Sequence, residues 1–299
     1  RRAARTARCR GGGAMGLQLQ QACAGLFVSG IYIFMWWVYH VVCVPYVGYA
    51  VAFNVLFFMS WWSYAQTVLV DPGTEDCPEW RAWSSAREAA AVVKDESSAA
   101  DQDRQRCWRP GEVDWCAKCR RERPERTHHC SQCGRCVIRM DHHCPWVGSC
   151  VGWRNHKYFI LMNGWSCLAC ASWLITVRAP NVAEALLLLT EPAATVQNML
   201  PLLAAVMAMV FSILTGCLFW QSIAMAFQNE TAVEANYVGQ NPYMLESSLD
   251  NLTQLLGPLD TARFLLPLDP GNRPKLELAF PLAPPKAREE PPAAAYGAC

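Results

Sequence analysis

Four long apolar runs, at 25–44, 46–70, 158–177 and 199–227, interrupt an otherwise mixed pattern of hydrophobic and polar positions. The first carries one ionisable residue other than tyrosine, His40, and the second carries none. About 20 predominantly apolar residues suffice for a helix to cross a bilayer, and each run meets that length. Buried helices of a large soluble domain would show polar partner faces that these runs lack. A fifth run, 185–189, is too short to cross and is expected in a loop. The pattern predicts an α-helical polytopic membrane protein with four transmembrane helices and a polar insert between the second and third.

Basic residues orient these spans. Of 26 Lys and Arg, five precede the first run, fifteen lie within 71–157, five follow Phe227, and only Arg178 falls between the third and fourth runs. The positive-inside rule then puts both termini and the insert in the cytosol. The first run is too long for a signal peptide and continues through Pro45 into another span. Met15 is a candidate initiator, but Gln20 stands where a myristoylation signal needs Ser or Thr. The net charge of +1 adds nothing, whereas 53% hydrophobic residues, thirteen Trp and only 17% charged residues agree with a membrane protein.

The expected organisation is a cytosolic N-terminal segment (1–24), two spans (25–44 and 46–70) and a cytosolic spacer (71–107). A cysteine-rich domain (108–157) follows, then a third span (158–177), a lumenal or extracellular loop (178–198) and a fourth span (199–227). A cytosolic segment (228–266) and a Pro-rich tail (267–299) complete the chain. Asp71-Pro72-Gly73 ends the second helix with turn residues. The Ala/Ser/Glu/Arg-rich spacer holds no chemistry and forms at most one amphipathic helix. No internal repeat stands out beyond Cys-x-x-Cys steps.

The stretch from Cys116 to Cys150 holds seven of sixteen cysteines and four of six histidines. A reducing cytosolic location argues for metal rather than disulfides. A closed zinc site takes four Cys/His ligands, so two sites need eight, and eleven candidates are present. Spacing read this way does not divide them. If 141–144 is extended, His142 and Cys144 share a side and His143 points away. One face could then serve zinc while the other does acid–base chemistry. Cys144 as one more ligand of a structural finger is the alternative that spacing leaves open.

The same residues carry a resemblance. Cys116-x-x-Cys119, Pro124-x-Arg126-x-x-His129-Cys130-x-x-Cys133-x-x-Cys136, Asp141-His142-His143-Cys144-Pro145-Trp146, Cys150, Gly152 and Asn155-His156-Lys157 are similar to the cysteine-rich domain of the DHHC family of protein S-acyltransferases. Asp71-Pro72-Gly73 resembles that family's motif after its second helix. The resemblance implies four spans with a cytosolic domain between the second and third. It implies one zinc on Cys116, Cys119, His129 and Cys136, and a second on Cys130, Cys133, His143 and Cys150. Cys144 is then the nucleophile, His142 its base and Asp141 the group orienting His142.

The implied activity is transfer of a long-chain acyl group, palmitoyl, from acyl-CoA through a Cys144 acyl-enzyme, by ping-pong kinetics. The acceptors are juxtamembrane cysteines of membrane-associated proteins. Arg123, Arg126 and His128 are expected at the CoA phosphates and Trp146 either at the mouth of the acyl site or as an interfacial anchor, while Arg120 and Arg121 suit anionic lipid. The small residues 166–172 could leave room for the chain or simply pack helices closely. Golgi, endoplasmic reticulum and plasma membrane are the expected membranes.

Four positions depart from the family pattern. Thr231-Ala232-Val233-Glu234 stands for Thr-Thr-x-Glu, Gly148 and Ser149 stand for two Asn, and Ser248 stands where the family often has Gly. A catalytically impaired, membrane-anchored zinc scaffold is therefore the second reading. A RING-type ligase gives Asp141–Cys144 no role, and the basic residues fit membrane topology without nucleic acid as a partner.

Overall fold

The computed structural model describes residues 14–43, 46–89, 108, 110, 113–176, 187, 196–259 and 262–271. The expected loop at 178–198, apart from residues 187 and 196–198, lies outside the described residues. So do residues 90–107 of the spacer and the tail beyond residue 271.

The apolar runs become helices. Helix α1 is Ala14–Trp37, continued by a π-helical turn, Val38–Val42. Helix α2 is Val47–Leu69, α4 is His156–Thr176 and α5 is Val196–Phe227. A shorter helix, α3 at Pro78–Ala89, follows α2, and α6 at Ser248–Leu256 follows α5. Among the described residues, three helices, Gln21–Val41, His156–Thr176 and Met199–Phe227, are long and apolar enough to cross a membrane. A helix satisfies its own backbone hydrogen bonds, which a bilayer requires of whatever spans it.

Helix α2 is as long but less apolar, because it carries Asn54, Ser60, Ser63, Gln66 and Thr67. Most of these turn inward. Ser63 and Thr67 donate back to Met59 and Ser63 carbonyls at 2.7 and 2.8 Å, as mid-helix hydroxyls do. Ser60 reaches Ser166 of α4 at 2.6 Å and Tyr32 of α1. Asn54 accepts from the Trp36 indole at 3.0 Å.

Helix α4 packs between α2 and α5. Its small residues divide by face. Gly164 and Cys167 meet α5: a Cβ on Gly164 would fall 2.9 Å from the Phe219 ring, and Cys167 Sγ lies 3.1 Å from where Gly216 would carry one. Ser166 and Cys170 face the other way, Ser166 toward Ser60 and Cys170 among Tyr39, Phe53 and Trp173. Close packing and a polar interior thus use alternate faces of the same stretch.

The insert between α2 and α4 folds into three antiparallel hairpins. These are β1 (Asp114–Cys116) with β2 (Arg121–Arg123), β3 (Thr127–Cys130) with β4 (Arg135–Ile138), and β5 (His142–Cys144) with β6 (Ser149–Val151). The segment expected as a spacer begins with α3, which packs Trp80 and Trp83 onto Cys77, Ile138, Trp153 and Tyr243. It is part of the insert's core because those indoles have apolar partners there.

Two clamps hold the hairpins to the helices. Asp71 accepts from Gly73 and Thr74 N–H at 2.8 and 2.7 Å, shaping a turn in which Gly73 takes φ 110°. That turn presents the Gly73 carbonyl to Ile138 N–H of β4 at 2.9 Å. From the other side, Asn155 donates to the Thr67 and Cys150 carbonyls, both at 3.0 Å, and accepts from Gly152 N–H at 2.9 Å. A Cβ on Gly152 would sit 2.7 Å from the Pro72 carbonyl oxygen, so only glycine allows this approach.

Candidate metal centres and active site

Each of the first two hairpins turns through a Cys-x-x-Cys knuckle, and each metal-ligand set draws on two neighbouring hairpins. Cys116 and Cys119 meet His129 and Cys136, while Cys130 and Cys133 meet His143 and Cys150; in each set one ligand atom per residue lies within 4.8 Å of the others. The His129 Nδ1 stands 3.6, 3.3 and 3.8 Å from the sulfurs of Cys116, Cys119 and Cys136. His143 Nδ1 repeats those distances, 3.6, 3.3 and 3.8 Å, to Cys130, Cys133 and Cys150. Sulfurs of Cys119 and Cys136 are 3.7 Å apart, and those of Cys133 and Cys150 3.5 Å. A tetrahedron with zinc–sulfur bonds of about 2.3 Å has sulfur–sulfur edges of about 3.8 Å. Three thiols and an imidazole at this spacing fit zinc in both places.

The two sets are one pattern translated by fourteen residues: 116, 119, 129 and 136 become 130, 133, 143 and 150. The hairpin registers repeat as well, with Cys116 opposite Arg121, Cys130 opposite Arg135 and Cys144 opposite Ser149. Arg120, Gly134 and Gly148 hold the same place in the three turns and all have positive φ, 51°, 67° and 67°. This corrects the expectation that nothing repeats beyond the Cys-x-x-Cys steps. Cys144 occupies the first knuckle position of the third hairpin, where Val147 replaces the second cysteine. The remaining two positions of a third set fall on Lys157 and Gly164, which supply no ligands here. Cys144 therefore stands outside both metal sets although its backbone place is that of a ligand.

Strand alternation then aims the rest of β5. His143 turns to the second metal set, and His142 turns to the opposite side, where its Nδ1 donates to Asp141 Oδ2 at 2.7 Å. Burial opposes charge on the His142 ring, but its hydrogen bonds to Asp141 and Cys144 raise it to about 9. Burial alone would raise the Asp141 carboxyl; His156, His142 and the Ala232 N–H hold it well below the usual carboxylate range. The Phe159 ring meets the His142 ring edge-on at 5.0 Å. Cys144 itself is buried against Val147, Val151 and Phe159, with Val68 of α2 and Met162 of α4 beside them. Its sulfur is thus at the seam between the hairpins and the helix bundle.

A buried polar web from the segment after α5 supports this corner. Ala232 N–H donates to Asp141 Oδ1 at 2.8 Å. The turn carrying Ala232 is fixed by Glu234, whose carboxylate takes Arg126 Nε and Nη2 at 2.7 and 2.6 Å and Thr231 N–H at 3.0 Å. Asn229 accepts from Arg126 Nη1 at 3.1 Å and Arg139 Nη2 at 3.2 Å. Sequence reading named Glu234 only as part of the Thr231–Glu234 pattern and missed Asn229 and Arg139 as parts of the site. A topogenic charge or a polar residue beside a span would give the signal of those two equally.

Of the four residues expected to contact acyl-CoA, Arg123 and Arg126 both act on the His128 ring through their charges, while Trp146 lies in the turn of the third hairpin. Arg126 is buried in its bidentate pair with Glu234 and stacked 4.7 Å over Tyr243, which commits its charge to the fold. Arg123 pairs with Asp114 across the first hairpin at 3.1 Å. His128 lies 3.5 Å from the Tyr237 hydroxyl, and burial lowers its pKa to about 4. Trp146 is exposed and stacks on Phe27 of α1 at 6.2 Å.

Comparison with known families gives one match on this region: residues 110–237 fit the model described as DHHC palmitoyltransferase. No curated protein matches the chain.

Proposed function

From the premise that residues 110–237 are a DHHC palmitoyltransferase domain, we propose that this chain is an active protein S-acyltransferase with Cys144 as its nucleophile. The observation that carries the reading is the Asp141–His142 hydrogen bond of 2.7 Å beside a cysteine that stands outside both metal sets. A free thiol has a pKa near 8.5, so an imidazole partner raises the thiolate fraction at neutral pH.

In the first half-reaction the Cys144 thiolate attacks the thioester carbon of an acyl-CoA. The bond from that carbon to the CoA sulfur breaks, and CoA leaves as the thiol with the proton carried by His142. In the second, His142 takes the proton of an acceptor cysteine, whose sulfur attacks the Cys144 thioester. The bond to Cys144 breaks, and the resting thiolate–imidazolium pair returns. One thioester replaces another, so no energy source is required.

Zinc at the two sets supplies folding free energy and fixes the hairpins. We place four spans, adding α2 to the three apolar helices, with both termini and the hairpins on the cytosolic face. The basic stretch around Arg123 meets the CoA phosphates, Arg126 supports that surface from within, and Trp146 borders the acyl site. The acceptors are membrane-associated proteins with cysteines near the bilayer.

The test is incubation of purified, zinc-loaded protein with labelled palmitoyl-CoA. Hydroxylamine-sensitive label on Cys144 is expected, absent from Cys144→Ser while both zinc ions remain. A folded, zinc-loaded wild type that takes no label would sink the enzyme reading and leave the scaffold. Zinc loss in Cys144→Ser would make Cys144 a ligand.

A further inference from the structure

Asp141 is approached by a second imidazole that the acyl-transfer scheme leaves unused. His156, the first residue of α4, is fully buried, and its Nε2 has no hydrogen-bond partner. That nitrogen lies 3.9 Å from Asp141 Oδ1, the oxygen that also accepts from Ala232 N–H at 2.8 Å. The other ring nitrogen, Nδ1, lies 3.4 Å from Arg139 Nη1.

A guanidinium can only donate, so Nδ1 must offer its lone pair and the ring proton of a neutral His156 is assigned to Nε2. The N–H then points at the Asp141 carboxylate. Arg139 cannot easily turn away, because it is buried and its Nη2 donates to Asn229 Oδ1 at 3.2 Å. Asn229 is itself held by Arg126, the Tyr243 carbonyl and Gln254. The tautomer of His156 is therefore set by a chain of buried contacts reaching the segment after α5.

A separation of 3.9 Å is too long for a hydrogen bond. Contacts of this kind are often long without substrate and shorten in the reacting complex. We propose that His156 is a positioning residue for Asp141: its Nε2–H, locked by Arg139, fixes the carboxylate rotamer that holds His142 against Cys144. The donor belongs to α4, a membrane-spanning helix that also supplies Phe159 and Met162 beside Cys144. A shift of α4 on acyl binding would be transmitted to Asp141 through this ring. The proposal rests on Cys144 being the acylated residue.

The experiment is single-turnover labelling of full-length protein in detergent with palmitoyl-CoA, at varied concentration, for wild type, His156→Gln, His156→Asn and His156→Phe. Gln can present an amide N–H where Nε2 stands, Asn falls short of it, and Phe has the volume without the donor. The expected result is a roughly 10- to 100-fold lower maximal rate for Phe and Asn, with the half-saturating acyl-CoA concentration unchanged. Gln is expected to recover most of the rate, and zinc content should match wild type in all three variants.

Equal maximal rates for Gln and Asn would overturn the proposal, as would a defect confined to the half-saturating concentration. If the Phe variant loses zinc, the Gln–Asn comparison still decides. Wild type without label would defeat the Cys144 reading itself, whereas labelled wild type with indifferent His156 variants defeats only this inference.

Discussion

Ala232 shows how a side-chain departure can leave a contact intact. The DHHC resemblance led us to expect a second threonine hydroxyl there, yet Asp141 Oδ1 is met by the Ala232 backbone N–H at 2.8 Å. Any residue at this position carries that donor, provided the turn keeps its shape. The shape comes from Glu234, buried with Arg126 in a bidentate pair that also takes Thr231 N–H. Such a pair is strongly destabilising when one partner is removed. Ala232→Thr is therefore expected to change single-turnover labelling by less than about twofold, below 0.5 kcal/mol in barrier. A tenfold gain would show that the hydroxyl, rather than the backbone, is the missing support. The grouping of Asp141, His142 and Cys144 was expected from the resemblance rather than from spacing, which left Cys144 open as a ligand. Their support was legible only in part: the Thr231–Glu234 pattern was named, but Asn229 lies about ninety residues from Asp141 and nothing in spacing links the two.

The three hairpins explain what spacing does and does not disclose. Counting Cys-x-x-Cys steps leaves eleven candidates for eight places, but a fourteen-residue translation maps one ligand set onto the other and isolates Cys144. The division was thus present in the sequence, hidden because each site borrows from two adjacent repeats rather than closing within one. Val147 is where the third repeat fails as a metal knuckle, and it is fully buried beside Cys144. Val147→Cys restores that knuckle. With cadmium, a thiolate-seeking ion, the variant is expected to bind metal beyond the two native sites and to label at least about tenfold more slowly until chelator is added. Metal stoichiometry with sulfur-to-metal absorbance checks this. Unchanged stoichiometry would mean that the third turn cannot close on an ion.

At the scale of the molecule, the apolar runs gave the helices closely: 46–70 became Val47–Leu69, and 158–177 became His156–Thr176. The docking of α3 was not legible, since an Ala/Glu/Arg pattern describes a solvated helix as readily as one whose two indoles are claimed by a neighbour. Nor was the role of Asn155, whose amide joins the α2 terminus to the last hairpin. Asn155→Ala leaves two carbonyls and the Gly152 N–H unpaired in the interior. The expected loss is on the order of 3 kcal/mol, read as a lower unfolding temperature in detergent. Unaltered melting would place the clamp elsewhere.

The middle hairpin, β3–β4, has a further consequence. It lends His129 and Cys136 to one metal set and Cys130 and Cys133 to the other, so neither ion has a private scaffold. An oxidant that converts one of these thiols takes a ligand from one set and loosens the hairpin that carries ligands of the other. Damage to that hairpin would then be felt at Cys144 without that sulfur being touched, and the acyl transfer proposed for it would fail as a unit rather than by degrees.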